Sequence, residues 1–170
     1  MAELGPRERL QPSLLDRLTD EEPHAQQEGR DKRVLSPARL RESVGRDLGW
    51  LLNTVNLATV QSLDDYPEVA RSVVNFGMAD LTGRTAAGIN FQLLEKQLAR
   101  AISDFEPRLL RSSVKVKAVL DVHKMSHNAL CFDIEAELWA QPLPLRLFLR
   151  TEIDLESGTV NVAEADRTRG

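Results

Sequence analysis

Three adjacent residues near the middle of the chain, Glu106-Pro107-Arg108, combine a carboxylate, a rigid imino acid and a guanidinium. They fall where a helical pattern stops and an alternating pattern begins. Proline disfavours helical geometry in its predecessor and fixes its own φ, so it ends the helix and holds its neighbours on a stiff frame. An arginine fork and a carboxylate suit charge-assisted hydrogen bonds. Two interpretations remain open: a helix stop with a local, exposed ion pair, or a clamp that binds a partner protein.

The same carboxylates are poor candidates for acid–base catalysis. Hydrolysis of a glycosidic bond needs two carboxyl groups on opposite walls of a cleft, about 5–9 Å apart, one of them with a raised pKa. Asp104 and Glu106 are neighbours in sequence, and Arg108 is the wrong neighbour for a general acid. The strands that follow offer no apolar wall with a second carboxylate. We therefore expect no enzyme activity.

Metal and phosphate chemistry are weakly indicated. His123 and His127 are four residues apart, with Cys131 and Asp133 nearby. They fall in a predicted turn and strand, where such spacing does not bring side chains together around a metal. The segment GRTAAG lacks the spacing and the lysine of a phosphate-binding loop. We expect neither a metal nor a cofactor.

Composition limits the class of protein. The 170 residues suggest one domain, and a net charge of −4 gives no basic surface for nucleic acid. A single cysteine excludes an internal disulfide. The N-terminus lacks the apolar core of a signal peptide, and no apolar run approaches the roughly 20 residues that span a bilayer. We expect a cytoplasmic protein without direct membrane insertion.

The domain opens with an amphipathic helix. Ser36 is a good N-cap and Pro37 suits the first helical position. Apolar residues then recur at spacings of three and four, as on one face of a helix; they are Leu40, Val44, Leu48, Leu51 and Leu52. Gly45 and Gly49 are expected to let a neighbouring element approach closely.

Two further helices are expected before the Glu-Pro-Arg motif. The segment YPEVARSVVNFG starts at Pro67 and would end at Gly77; its shared face is Val69, Val73 and Val74. After a loop, MADLTGRTAAG, comes INFQLLEKQLARAISDF, which must stop before Pro107. Its apolar stripe is Leu94, Leu98, Ala101, Ile102 and Phe105.

Beyond the motif the period of the pattern changes to two, which is typical of strands with one apolar face. Apolar residues alternate with charged ones over 114–122, 130–138 and 145–153, and Glu156-Ser157-Gly158 turns into a last strand at 159–162. Opposite charges on successive strands favour pairing in that order: Lys115 and Lys117, then Asp133, Glu135 and Glu137, then Arg146 and Arg150. The class is therefore α+β, with N-terminal helices packed on one face of a mainly antiparallel C-terminal sheet.

The chain divides into a flexible tail at 1–33, one α+β domain at 34–165 and a disordered C-terminus at 166–170. The tail is too polar to offset the entropy of ordering it, except at PSLLDRLTD. There Ser13 can cap a short helix whose leucines share a face: Leu14, Leu15 and Leu18. This helix either folds back on its own domain or docks on a partner.

Five segments, in order, resemble the TssE family of type VI secretion baseplate subunits. They are PSLLDRLTD, RDLGWLLNT, SVVNFGMADLTG, FEPRL and TEIDLESGTVNV, and together they span nearly the whole chain. FEPRL is the most specific of them. One departure is Val55, where we would expect arginine after Leu-Leu-Asn-Thr.

The resemblance implies a structural role. Such a subunit forms a wedge with TssF and TssG, attaches to TssK and is thought to seed the contractile sheath of TssB and TssC, at the inner face of the inner membrane. It also favours the clamp interpretation of Glu106, Pro107 and Arg108. Two alternatives stay open: a peptidoglycan hydrolase, from the "lysozyme-like" label of the family, and a stand-alone anti-adaptor of the same fold, as in IraD.

Overall fold

The computed structural model describes residues 13–19, 24, 36–119, 129–139 and 144–165. Its helices are α1 (Leu14–Leu18), α2 (Pro37–Leu52), α3 (Pro67–Ala70) and α4 (Phe91–Phe105). Its strands are β1 (Lys115–Val119), β2 (Ala129–Leu138), β3 (Leu145–Asp154) and β4 (Val160–Glu164). Short 3₁₀ turns lie at Leu57–Thr59, Val73–Asn75, Ala86–Gly88 and Arg111–Ser113.

The four strands form one antiparallel sheet in the order β1-β2-β3-β4. This confirms the α+β class and the meander predicted from the alternating pattern. The register also places the predicted charges opposite one another, with Lys117 across from Asp133 and Asp133 across from Arg150. The Arg150 Nε lies 2.7 Å from the Asp133 Oδ1, on an exposed part of the outer face.

Helices α2 and α4 pack on the other face of the sheet. Helix α2 lies against β3 and β4, and α4 lies against β1. The whole predicted stripe of α2 is buried: Leu40, Val44, Leu48, Leu51 and Leu52. Of the predicted α4 stripe, Leu94, Leu98 and Ile102 are buried, whereas Ala101 and Phe105 are only partly buried. The two stripes meet the inward residues of the strands, of which Phe132 and Leu130 are fully buried. Ser36 caps α2 as predicted, since its side chain accepts a hydrogen bond from the Arg39 N–H.

The predicted second helix is only partly correct. The helix that starts at Pro67 ends after Ala70, and Val73–Asn75 forms a separate 3₁₀ turn. Ser72 interrupts the helix because its hydroxyl accepts from the Val74 N–H and its backbone takes an extended conformation. As a result Val73 and Val74 are 81% and 65% exposed instead of buried.

Glycine roles also differ from expectation. Gly77 does not close a helix: its φ is +122°, and a Cβ there would lie 2.2 Å from the Thr54 carbonyl oxygen. Its neighbour Met78 forms a parallel bridge with Val55. No neighbouring element approaches Gly45 or Gly49 closely, since a Cβ at either position would meet nothing within 4 Å.

Several predictions lie outside the described residues. These are most of the 1–33 tail, the 166–170 terminus, the turn around His123 and His127, and most of the turn at 141–144. The division of the chain into tail, domain and C-terminus therefore stays a prediction.

Candidate protein-binding site

Glu106 and Arg108 form an ion pair at the corner between α4 and the sheet. Glu106 is the C-cap residue of α4, and its backbone N–H bonds the Ile102 carbonyl. Its carboxylate accepts from the Arg108 Nε at 2.7 Å and from the Arg108 backbone N–H at 3.0 Å. Pro107 stands exposed between them. The corner is thus a rigid loop closed on itself by a bidentate pair.

The pair is not exposed, contrary to the first interpretation of the motif. Glu106 is 3% exposed, because the loop folds its side chain under the Arg108 guanidinium. Arg108 also donates to Asp47 Oδ2 and, at 3.2 Å, to the Ser43 hydroxyl. The motif therefore fastens the end of α4 to the middle of α2, and most of the donors of Arg108 are used within the chain.

A chain of alternating charges continues from this corner across α2. Asp47 binds Arg108 through one carboxylate oxygen and Arg46 through the other, with Arg46 Nη2 at 2.8 Å. Arg46 Nη1 then reaches Asp16 of α1 at 2.6 Å. The guanidinium of Arg46 also lies over the ring of Trp50, 5.0 Å from its centroid. The network joins the two segments that the sequence singled out, α1 and Glu106-Pro107-Arg108.

Helix α1 holds its leucines away from the domain. Ser13 caps it as predicted, accepting a hydrogen bond from the Asp16 N–H. Leu14, Leu15 and Leu18 are 70%, 43% and 73% exposed. Neither open interpretation fits alone: the helix lies back on its own domain through a polar contact, and its apolar face stays free.

The contacts of the network stabilise the ionised forms of Asp16 and Arg108. Burial by itself would raise the pKa of Asp16, but hydrogen bonds from Ser13 and Arg46 outweigh it and hold that pKa below its usual range. Burial likewise works to lower the pKa of Arg108, and the carboxylates of Glu106 and Asp47 overcome it and raise that pKa. Asp16 and Arg108 are therefore charged at neutral pH.

Sequence reasoning missed Ser43, Arg46 and Asp47 because it considered only the apolar stripe and the glycines of α2. Their spacing of three and four puts them on one side of the helix, a signal that was present in RESVGRDLGW. What the sequence did not show is that this side meets the Glu-Pro-Arg corner.

The two edges of the sheet differ. On β1, the Ala118 N–H donates to the Glu95 carboxylate of α4 at 2.8 Å. On β4, the Asn53 carboxamide donates to the Val160 carbonyl at 2.8 Å and accepts from the Val160 N–H at 2.9 Å. Asn53 thereby imitates a neighbouring strand residue at the start of β4.

Beyond Val160 the β4 edge is open. The Ala165 N–H donates to the Phe148 carbonyl at 2.9 Å, and antiparallel pairing alternates inward and outward backbone groups. The N–H and C=O groups of Val162 and Glu164 therefore point away from β3. In the part of the chain that the structure describes, no hydrogen-bond partner meets them.

The residues considered for catalysis are separated by other contacts. Asp104 faces Arg100, with Nε 3.6 Å from Oδ2, while Glu106 is held by Arg108. Cys131 is half-buried on the outer face of the sheet, and burial raises the pKa of its thiol. Within the described ranges no three potential metal ligands cluster; His123 and His127 lie outside them.

In the described segments, no helix is both long and apolar enough to cross a bilayer. No curated protein and no solved structure matches the chain.

One family model matches residues 38–143, and its description is baseplate wedge protein gp25. The match runs from the start of α2, through the Glu-Pro-Arg corner, to the end of β2. It thus includes Ser43, Asp47, Glu106 and Arg108, the four residues joined at that corner. Since it covers more than half of the 170 residues, the chain belongs to the baseplate wedge gp25 family, which is the domain family of TssE.

Proposed function

We propose that the chain is the TssE-type wedge subunit of a type VI secretion baseplate and that it has a structural rather than an enzymatic role. The observation that carries the proposal is the family membership, because that family builds the baseplate wedges of contractile machines. The chemistry agrees: each carboxylate of the network is bound to an arginine, which suits a fixed structural contact better than general acid–base catalysis. We expect the assembled protein at the inner face of the inner membrane.

The partner-binding face comprises α1 and the Glu-Pro-Arg corner. Its contact residues are Leu14, Leu15, Leu18, Pro107 and Arg108, and buried Glu106 holds Pro107 and Arg108 in place. The partners are TssF and TssG, with TssK attached through them. Exposed leucines on a helix suit an apolar groove. Exposed Pro107, held by the Glu106–Arg108 pair, offers a rigid contact with little entropy to lose on binding.

The second role is to accept the first strand of the TssB/TssC sheath. An extended segment can add to a sheet only where backbone groups are free. At β1 the Ala118 N–H is occupied by Glu95, whereas at β4 no described residue bonds the outward backbone groups of Val162 and Glu164. We therefore assign strand addition to the β4 edge, directly beyond the position that Asn53 fills.

A proline scan of this edge tests the assignment. Val162→Pro removes an outward N–H that does not belong to the β3–β4 ladder, so the variant should fold while strand addition fails. Val162→Ala, which keeps the N–H, is the matched control. Fluorescent sheath formation in cells and co-purification with TssF and TssG are the readouts. Normal sheaths in a stably folded Val162→Pro strain would refute strand addition at β4; failure of the wild-type chain to co-purify with either partner would refute the wedge role.

A further inference from the structure

Arg46 is shared between two carboxylates that belong to different parts of the chain. Its Nε lies 2.9 Å from Asp47 Oδ1, on its own helix, and its Nη1 lies 2.6 Å from Asp16 Oδ1, on α1. Trp50 supports the flat side of the guanidinium. Its Nη2 is buried and, although near Asp47, makes no well-directed hydrogen bond. Within the described residues, the hydrogen bonds thus leave part of the donor capacity of Arg46 unused.

The Asp16 contact is the only hydrogen bond or ion pair that joins α1 to the described remainder of the chain. No residue of α1 is buried. The apolar contribution to docking is therefore small, and partly exposed ion pairs hold weakly. A group that offers Arg46 a carboxylate together with apolar contacts would displace Asp16 readily.

We propose that Arg46, supported by Trp50, is a carboxylate-binding site that Asp16 fills in the free protein and that an acidic side chain of a partner fills in the assembly. α1 is then a strap: exchange at Arg46 frees it and delivers its three leucines to that partner. This inference rests on the proposed function for the identity of the assembly, but the site itself is defined by residues of this chain alone.

The chemistry of the site specifies the ligand. A guanidinium fork favours a carboxylate, which can accept two parallel hydrogen bonds. The half-exposed indole of Trp50, against which the Arg46 guanidinium lies, offers apolar surface beside that position. The fitting partner segment therefore carries Asp or Glu between apolar side chains, as Leu-Leu-Asp-Arg-Leu of α1 itself does.

Loss of Asp16 from Arg46 affects the Glu-Pro-Arg corner. Asp47 divides its two oxygens between Arg46 and Arg108. When Asp16 leaves without replacement, Arg46 interacts more fully with Asp47, and the attraction of Asp47 for Arg108 weakens. A carboxylate that replaces Asp16 restores the balance. The corner thereby responds to loss of Asp16 from Arg46, and this response ends when another carboxylate fills the site.

The test uses the full chain and the arginine side-chain region of its ¹⁵N–¹H NMR spectrum. Asp16→Asn removes the charge with little change in shape, and Arg17→Gln is the control on the same helix. We expect Asp16→Asn to shift the Nε–H resonances of both Arg46 and Arg108 and to increase hydrogen exchange over Leu14–Leu18. Arg17→Gln should leave both resonances in place. An unchanged Arg108 resonance in Asp16→Asn would overturn the coupling.

The site is tested by adding two peptides, acetyl-Leu-Leu-Asp-Arg-Leu-amide and its Asp→Asn counterpart. The Asp peptide should bind the Asp16→Asn variant at least about five-fold more tightly than it binds the wild type, because Asp16 already occupies the site in the wild type. Equal binding of both peptides, or no binding of the Asp peptide at millimolar concentration, would overturn the proposal. Neither result bears on wedge assembly or sheath growth, so failure here is distinct from failure of the proposed function.

Discussion

The carboxylate of Glu106 is withdrawn from water, and this decides what happens when its partner is removed. An exposed pair, as in the first interpretation of the motif, would contribute about 0–1 kcal/mol. A buried carboxylate that loses its counter-ion is far more costly, because it cannot recover its hydration. The Glu-Pro-Arg corner is therefore part of the stability of the fold as well as a candidate contact.

We expect Arg108→Ala to lower the free energy of unfolding by about 2–3 kcal/mol, since Glu106 would stay buried without its main donor. Urea denaturation of the pure protein measures this. Pro107→Ala, at an exposed position, is the control and should change stability by less than about 1 kcal/mol. An unchanged midpoint for Arg108→Ala would show that Glu106 is paired or hydrated in another way.

Acid should release α1 before it affects the core. The folded-state pKa of Asp16 lies below its usual value of 3.8, so its contribution is fully present above that value and is lost as the pH falls through the lower one. The Arg46 Nε–H resonance should be constant from pH 7 to about pH 5 and shift below about pH 3.8. Methyl signals of the sheet report on global unfolding in the same samples. A shift of the Arg46 signal near pH 6 would assign the transition to another group.

At the scale of elements, the link between α2 and α4 departs most from its sequence pattern. Exposed Val73 and Val74 show that a helical spacing of valines does not bury them when a serine hydroxyl competes for the backbone N–H. The segment is instead held at its ends. Asn75 bonds both the Ala58 N–H and the Ala70 carbonyl, and the Gly77 backbone lies against Thr54.

Two glycine substitutions compare a glycine that lies against another backbone segment with a helical glycine that has open space. Gly77→Ala should destabilise the protein by about 2 kcal/mol or more, because the new Cβ meets a backbone carbonyl and φ is positive. Gly45→Ala should stabilise it by about 0.5–1 kcal/mol, since the position is helical and has space for a methyl group. Thermal unfolding of both variants is sufficient. If Gly77→Ala left the stability unchanged, the 54–56 segment would have to move to make room for the new Cβ.

At the scale of the whole molecule, the periodicity of the apolar residues and the residues that end helices and strands predicted the architecture. The stripes of α2 and α4, the strand order and the opposed charges across the sheet all followed from residue spacing. The network from Asp16 to Glu106 did not, because it joins residues that are far apart in sequence and polar in type. Only tertiary packing shows which polar side of α2 is covered. The open edge at β4 likewise depends on where Asn53 lies.

A structural role for the whole chain predicts that purified protein releases no fragments from peptidoglycan. The carboxylates nearest the motif are each held by an arginine, Asp104 by Arg100 and Glu106 by Arg108. A turbidity assay on cell walls checks this, with a known muramidase as positive control. Clearing that Glu106→Gln abolishes would instead assign a hydrolase.

Asn53 has a mechanical consequence. When a strand is pulled sideways from a sheet, its hydrogen bonds break one at a time, and the terminal bond breaks first. The carboxamide of Asn53 fastens the first residue of β4 to the end of α2 through two hydrogen bonds. Tension on a strand attached to β4 would pass into the helix at that point rather than peel β4 from β3. Under load, the hydrogen bonds of β4 should break first at its open end, near Glu164, while those at Val160 stay intact.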